Sequence, residues 1–107
     1  MDGAIDPKTW ELWYVNVKYE DLEQYQDRPV LVIDCSDQII ILALKVTSTP
    51  PRDEWGEYDI IKWKSAGLSN PSTIRCGHPV KLVLSDFRRK IGELHLEDIM
   101  RIQDMIS

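Results

Sequence analysis

Arg28-Pro29-Val30-Leu31-Val32-Ile33-Asp34 decides how the rest of the chain is read. Proline cannot donate to a sheet ladder, yet it is accepted at the start of a strand or on an edge. The apolar run behind it has the length and β-branched composition of a buried strand. The pattern therefore sets a permanently charged arginine at the mouth of that strand. Its planar fork suits a phosphate or a carboxylate.

Asp34-Cys35-Ser36-Asp37-Gln38 has turn composition. Ile39 to Thr47 is a second buried strand. With the turn near residues 36–38, the two strands form an antiparallel hairpin that returns Thr47 opposite Arg28. Ahead of the hairpin, residues 10–19 alternate as a strand through Trp13, Val15, Val17 and Tyr19. Glu20 to Asp27 is polar and free of glycine, the mark of an exposed loop.

Beyond it, Pro50-Pro51 ends the strand and opens a loop over 49–58. Its Trp55, near Arg52, could stack on a nucleobase or pin the loop to the core. Asp59 to Gly67 reads as a short helix with Asp59 as N-cap and Gly67 as its stop. Ser72 to Cys76 is a third strand halted by Gly77-His78-Pro79, and Val80 to Leu84 a fourth. Ser85 to Lys90 is a turn followed by a basic cluster, and Ile91 to Leu94 a short strand. The tail from Leu96 to Ile106 is an amphipathic helix with His95 at the capping position. Short strands, one inserted helix and a C-terminal helix predict a mainly β protein with small helices, built as a small, strongly bent barrel.

The 107 residues suit one domain, with residues 1–8 as a tail and the barrel over 9–107. No apolar run approaches the ~18 residues of a membrane span. No basic-then-apolar leader opens the chain, so a cytoplasmic protein is expected. Cys35 and Cys76 show no metal or redox spacing, and reduced thiols with no metal or cofactor are expected. The formal charge of -5 resides wholly in residues 1–27, with seven acids and two bases. Residues 28–107 balance, so binding of an anion would depend on a local patch rather than the net field.

Glu11-Leu12-Trp13, RPVLVID at 28–34, Val46-Thr47-Ser48, and Ser72 to Cys76 followed by Arg89 to Leu94 and a helix stand in a telling order. Together, from about Thr9 to Asp104, they resemble the PemK/MazF family of toxin endoribonucleases of bacterial type II toxin–antitoxin systems. The resemblance implies an SH3-like barrel that forms a homodimer and a groove for single-stranded RNA or the tail of an acidic antitoxin. It implies sequence-preferring RNA cleavage without a metal. It assigns Arg28 and Thr47 to catalysis, with Arg75 matching an arginine some members place in the site. Ser48, Arg52 and Trp55 are then candidates for RNA contact.

Three departures stand beside it. Trp10 occupies a glycine position of the family, the loop at 20–27 is acidic and lacks glycine, and Gly77 replaces an aspartate found in some members. His78, next to that glycine, is a candidate acid or base and equally an ordinary turn residue. Arg28 could instead pair with Asp27. A rival reading is a non-catalytic barrel, a decayed toxin, that binds a peptide or nucleic acid.

Overall fold

A computed structural model of the chain describes residues 5–17, 26–48 and 56–106. It has six strands, β1 (Glu11–Val17), β2 (Gln26–Asp34), β3 (Ile41–Thr47), β4 (Glu57–Asp59), β5 (Thr73–Leu82) and β6 (Phe87–Glu93), and a closing helix, α1 (Leu96–Ile106). All pairings are antiparallel, in the order β4-β5-β3-β2-β1-β6.

β5 and β6 are consecutive in the chain, joined by residues 83–86, yet β3, β2 and β1 lie between them in the sheet. So short a link requires the sheet to roll on itself. The link is one turn of 3₁₀ helix at Leu84–Asp86, where the Asp86 carboxylate accepts the Val83 N–H at 3.0 Å. Trp13, Val15, Val30, Val32, Ile41, Ala43, Leu82 and Phe87 fill the interior of the roll. The Trp13 and Phe87 rings meet edge-on, with centroids 5.7 Å apart. Among the described residues no ladder closes the roll, so it is barrel-like rather than a sealed barrel.

Alternation along the strands sends Leu12, Leu31, Val46 and Ile74 to the outer face, under Ile60, Ala66 and Ile102. The hairpin has the register its turn implies: Val30 pairs with Lys45, Leu31 with Leu44 and Val32 with Ala43. Within the N-terminal segment, Ile5 packs on the interior and Pro7 is buried.

Several expectations need correction. The helix expected over 59–67 is a run of turns. Asp59 ends β4, and its carboxylate accepts the Thr73 hydroxyl at 2.9 Å instead of capping a helix. A segment this short does not repay helix nucleation by itself. Its leading amides are taken by Asp98 of α1, which accepts from Ile61 and Lys62 N–H, both at 2.9 Å, and from the Tyr58 hydroxyl at 2.5 Å. Burial and this bond push the Tyr58 phenol far above its ordinary value.

Nor do Gly77-His78-Pro79 halt a strand. β5 runs through them as a bulge, in which residues 76–79 stand opposite Leu44. The missing proline N–H costs nothing where the ladder is already interrupted. β6 begins at Phe87, so the basic cluster belongs to a strand.

His95 caps α1 as expected, its Nδ1 accepting the Glu97 N–H at 3.1 Å. Of the helix's expected apolar face, Ile102 is buried and Ile99 half-buried, whereas Leu96, Met100 and Ile106 are exposed. Trp10 sits at φ 73, the left-handed region that glycine enters freely. A tryptophan here thus holds a conformation that a glycine would enter without steric cost. It is held by Trp10 N–H to Val32 C=O at 2.7 Å and Leu94 N–H to Trp10 C=O at 2.9 Å.

Candidate functional site

Cross-strand pairing sets side chains in rows on the face that lines the interior. β1 pairs Val15 with Arg28, and the hairpin register, continued two residues past the Val30–Lys45 pair, sets Arg28 opposite Thr47, both of which line one pocket. Thr47 pairs with Thr73, and Thr73 with Asp59. The neighbouring row runs Trp13, Val30, Lys45, Arg75, Glu57. Both rows are apolar on β1 and become polar towards β4. The interior surface therefore continues outward as a charged platform.

Arg28 and Arg75 lie two strands and one row apart. Strand spacing and rise put their Cα atoms about 12 Å from each other. Two arginine side chains can converge on one phosphate across that gap. Arg28 Nε and Arg75 Nε are shielded from solvent and have no hydrogen-bond partner. A buried donor without an acceptor is costly, and an anion between these groups would relieve both. Arg75 is oriented by Glu57, whose carboxylate lies 3.7 Å from Nε and is nearly buried. Asp27 does not take Arg28, for its Oδ1 accepts the Asn16 amide at 2.9 Å.

Arg28, Thr47 and Ser48 line a pocket of about 240 Å³ at the rim of the roll, with Tyr14 on one side and the Leu68–Ser72 loop on the other. Arg75 does not line it. The Arg89 guanidinium lies over the Tyr14 ring at 4.5 Å. Arg52, Trp55 and the His78 side chain lie outside the described residues, as does most of the 20–27 loop. Glu57, Tyr14, Asn70 and Arg89 were not legible as site residues. Glu57 follows a proline-rich stretch that reads as loop, and the others come together only through long-range pairing.

Among the described residues no cluster of three His, Cys, Asp or Glu side chains could hold a metal ion, and no helix is long and apolar enough to cross a membrane. Cys35 and Cys76 are free thiols, and burial pushes that of Cys76 up.

The family of PemK-like, MazF-like toxins of type II toxin–antitoxin systems matches over residues 8–107. No curated protein matches the chain. Among solved structures, the Mycobacterium tuberculosis toxin MazF-mt6 superposes with a TM-score of 0.70 at 20% identity, covering 90% of this chain and 91% of its own. An endoribonuclease in complex with its cognate antitoxin, from a mycobacterial species, gives 0.69 at 13% identity over 92% and 88%. An Mtb toxin gives 0.63 at 19% identity over 87% and 94%. At these identities the structural likeness shows a common fold.

Proposed function

The chain belongs to the PemK-like, MazF-like toxin family of type II toxin–antitoxin systems, and from that premise we propose that it is an endoribonuclease that cuts single-stranded RNA with sequence preference and without a metal ion. The observation that carries this reading is that Arg28, Thr47 and Arg75 share one face, with Arg28 Nε and Arg75 Nε shielded from solvent and making no hydrogen bond, while Arg75 keeps its ion pair with Glu57.

In the reaction, a ribose 2′-hydroxyl gives up its proton to water as its oxygen bonds to the adjacent phosphorus, and the P–O5′ bond breaks as O5′ takes a proton from water. A 2′,3′-cyclic phosphate and a free 5′-hydroxyl result. The phosphorane formed on the way concentrates negative charge on its non-bridging oxygens. Preorganised guanidinium donors stabilise that charge more than they stabilise the ground state. Arg28 and Arg75 hold those oxygens, Thr47 supplies a hydroxyl to the same phosphate, and Glu57 keeps Arg75 in position. Arginine stays protonated at any working pH, so its part is electrostatic rather than basic. Ser48, at the end of β3, lies where the flanking backbone would run.

The protein acts in the cytoplasm as a homodimer held in check by an acidic antitoxin. The exposed Leu96, Met100, Met105 and Ile106 of α1 support a protein partner on that helix. Sedimentation showing only monomer at micromolar concentration would count against the dimer.

The test of the activity is a varied RNA pool incubated with antitoxin-free protein in EDTA. Cuts leaving 2′,3′-cyclic phosphate ends are expected. Arg28→Ala should slow them by about 10²-fold or more, while binding of an uncleavable RNA falls much less. Thr47→Val should fold normally and cut poorly. Wild-type protein that cuts nothing would leave the non-catalytic barrel as the better account.

A further inference from the structure

We propose that the rim pocket is a subsite for a single unpaired nucleobase, with Tyr14 as its stacking wall and Asn70 as the residue that reads its edge. Strand alternation turns Tyr14 and Val46 outward and Arg28 and Thr47 inward, so the base lies on the outer side of the rim and belongs to a nucleotide whose phosphate reaches over that edge to Arg28 and Thr47. This rests on the reading of the chain as an RNA-cleaving enzyme and goes further, because it names the element that sets the sequence preference.

The lining chooses the ligand. Among the described residues Arg28 is its one charged group. The rest are an aromatic ring, apolar side chains and the hydroxyl and amide groups of Ser48 and the Leu68–Ser72 loop. Among these described residues a second anionic group finds no further cation, and a cation finds no carboxylate. The fitting ligand is a neutral, flat, polar-edged ring joined to one anion, which describes a nucleotide. The volume of about 240 Å³ is below that of pockets for drug-sized molecules, about 300–1,000 Å³. It suits one ring system and excludes a paired base.

The walls are already set. The Arg89 guanidinium lies over one face of the Tyr14 ring and fixes its orientation, and the ring also lines the pocket. The loop that carries Asn70 is fastened at both ends, by Leu68 N–H to Trp63 C=O at 3.1 Å and Ile60 N–H to Ser72 C=O at 3.0 Å. Within it, the Ser72 hydroxyl donates to the Asn70 carbonyl at 2.8 Å, and Pro71 fixes the backbone between them. An asparagine amide offers a donor and an acceptor side by side, as base edges do. Sequence-specific recognition of RNA works largely in this way, with an unstacked base laid on an aromatic ring and bonded along its edge.

The experiment sequences the cut sites of wild type, Asn70→Ala, Asn70→Asp and Tyr14→Leu in a randomised RNA pool. It is paired with binding of a 2′-O-methyl oligonucleotide of the preferred sequence, which cannot be cut. Wild type should prefer one base at a single position beside the cut. Asn70→Ala should flatten that preference by about 10-fold and leave the other positions as they were. Asn70→Asp, which trades the donor for an acceptor, should change which base is preferred there. Tyr14→Leu should weaken binding by about 10-fold with an unchanged denaturation midpoint. An unchanged cut-site profile in both Asn70 variants overturns the subsite while cleavage itself stands. If wild type cuts nothing, the enzymatic reading falls, and the subsite is then decided by binding alone. In that case, a Tyr14→Leu protein that binds the oligonucleotide like wild type overturns it.

Discussion

Replacing Asp98 by alanine should cost this protein about 4 kcal/mol. The carboxylate is fully buried, with 0% exposure, and accepts three hydrogen bonds, from the Tyr58 hydroxyl and the Ile61 and Lys62 amides. A hydrogen bond to a charged group is worth about 1.5–3 kcal/mol, and a stranded buried donor costs about 1–3 kcal/mol. Three such bonds at one carboxylate are coupled, so the loss falls short of their sum. About 4 kcal/mol is near the top of the range for point changes and a large share of the roughly 5–15 kcal/mol that holds a domain together.

Tyr58→Phe removes one donor and should cost about 1.5 kcal/mol. Asp98→Asn keeps an acceptor but turns an NH₂ towards an amide N–H, and should cost about 2 kcal/mol. Urea unfolding followed by the fluorescence of the four tryptophans reads all three. In the Asp98→Ala background, Tyr58→Phe should add almost nothing, because its partner is already gone. An Asp98→Ala protein that loses less than about 1 kcal/mol would refute the reasoning. So would a Tyr58→Phe cost that is undiminished in that background.

Two further outcomes follow from side chains held in unusual circumstances. At position 10, glycine should give a protein about 1 kcal/mol more stable than alanine does, since both lose the tryptophan's packing but only alanine keeps the left-handed strain; equal midpoints in urea would contradict this. Burial acts to raise the Glu11 carboxyl, but hydrogen bonds from Trp13 Nε1, Lys90 and the Lys8 amide outweigh it and hold the carboxyl below its ordinary value. The stability Glu11 contributes is therefore complete above the ordinary carboxylate pKa of about 4.3 and drains away as the pH falls through the lower folded value. Glu11→Gln should be less stable near neutrality and should show a shallower acid limb in stability against pH, and an acid limb of unchanged slope would count against it.

The hairpin of β2 and β3 was legible because everything that sets it is local. A turn-rich Asp34 to Gln38 lies between two β-branched runs, and the distance to the turn fixes the partner of each residue. Arg28 and Thr47 could therefore be brought together from sequence. Arg75 could be named only by resemblance, and its partner Glu57 not at all. The bulge at 76–79 offsets β5 against β3 by an amount that no local pattern records. Gly77 and Pro79 look like strand breakers, but they mark the place where β5 bends. The segment 59–67 has a plausible cap and stop for a helix. Cap and stop were not enough for so short a segment, and its leading amides are held by Asp98, a tertiary partner nearly forty residues away. The tolerance of Trp10 at a glycine position was equally hidden, since it depends on contacts to Val32 and Leu94.

The pairing of β1 with β6 joins Glu11 to Glu93. Strand β1 is therefore made long before its outer partner. Contacts so distant in sequence form late and slowly, and a growing chain folds from the N-terminal side only as far as its partners have been made. Until Phe87 has left the ribosome, the surface of Trp13 and Val15 has nothing to close on, and the roll that shapes the platform of Arg28, Thr47 and Arg75 is incomplete. A chain with this topology completes its platform only after β6 has been made.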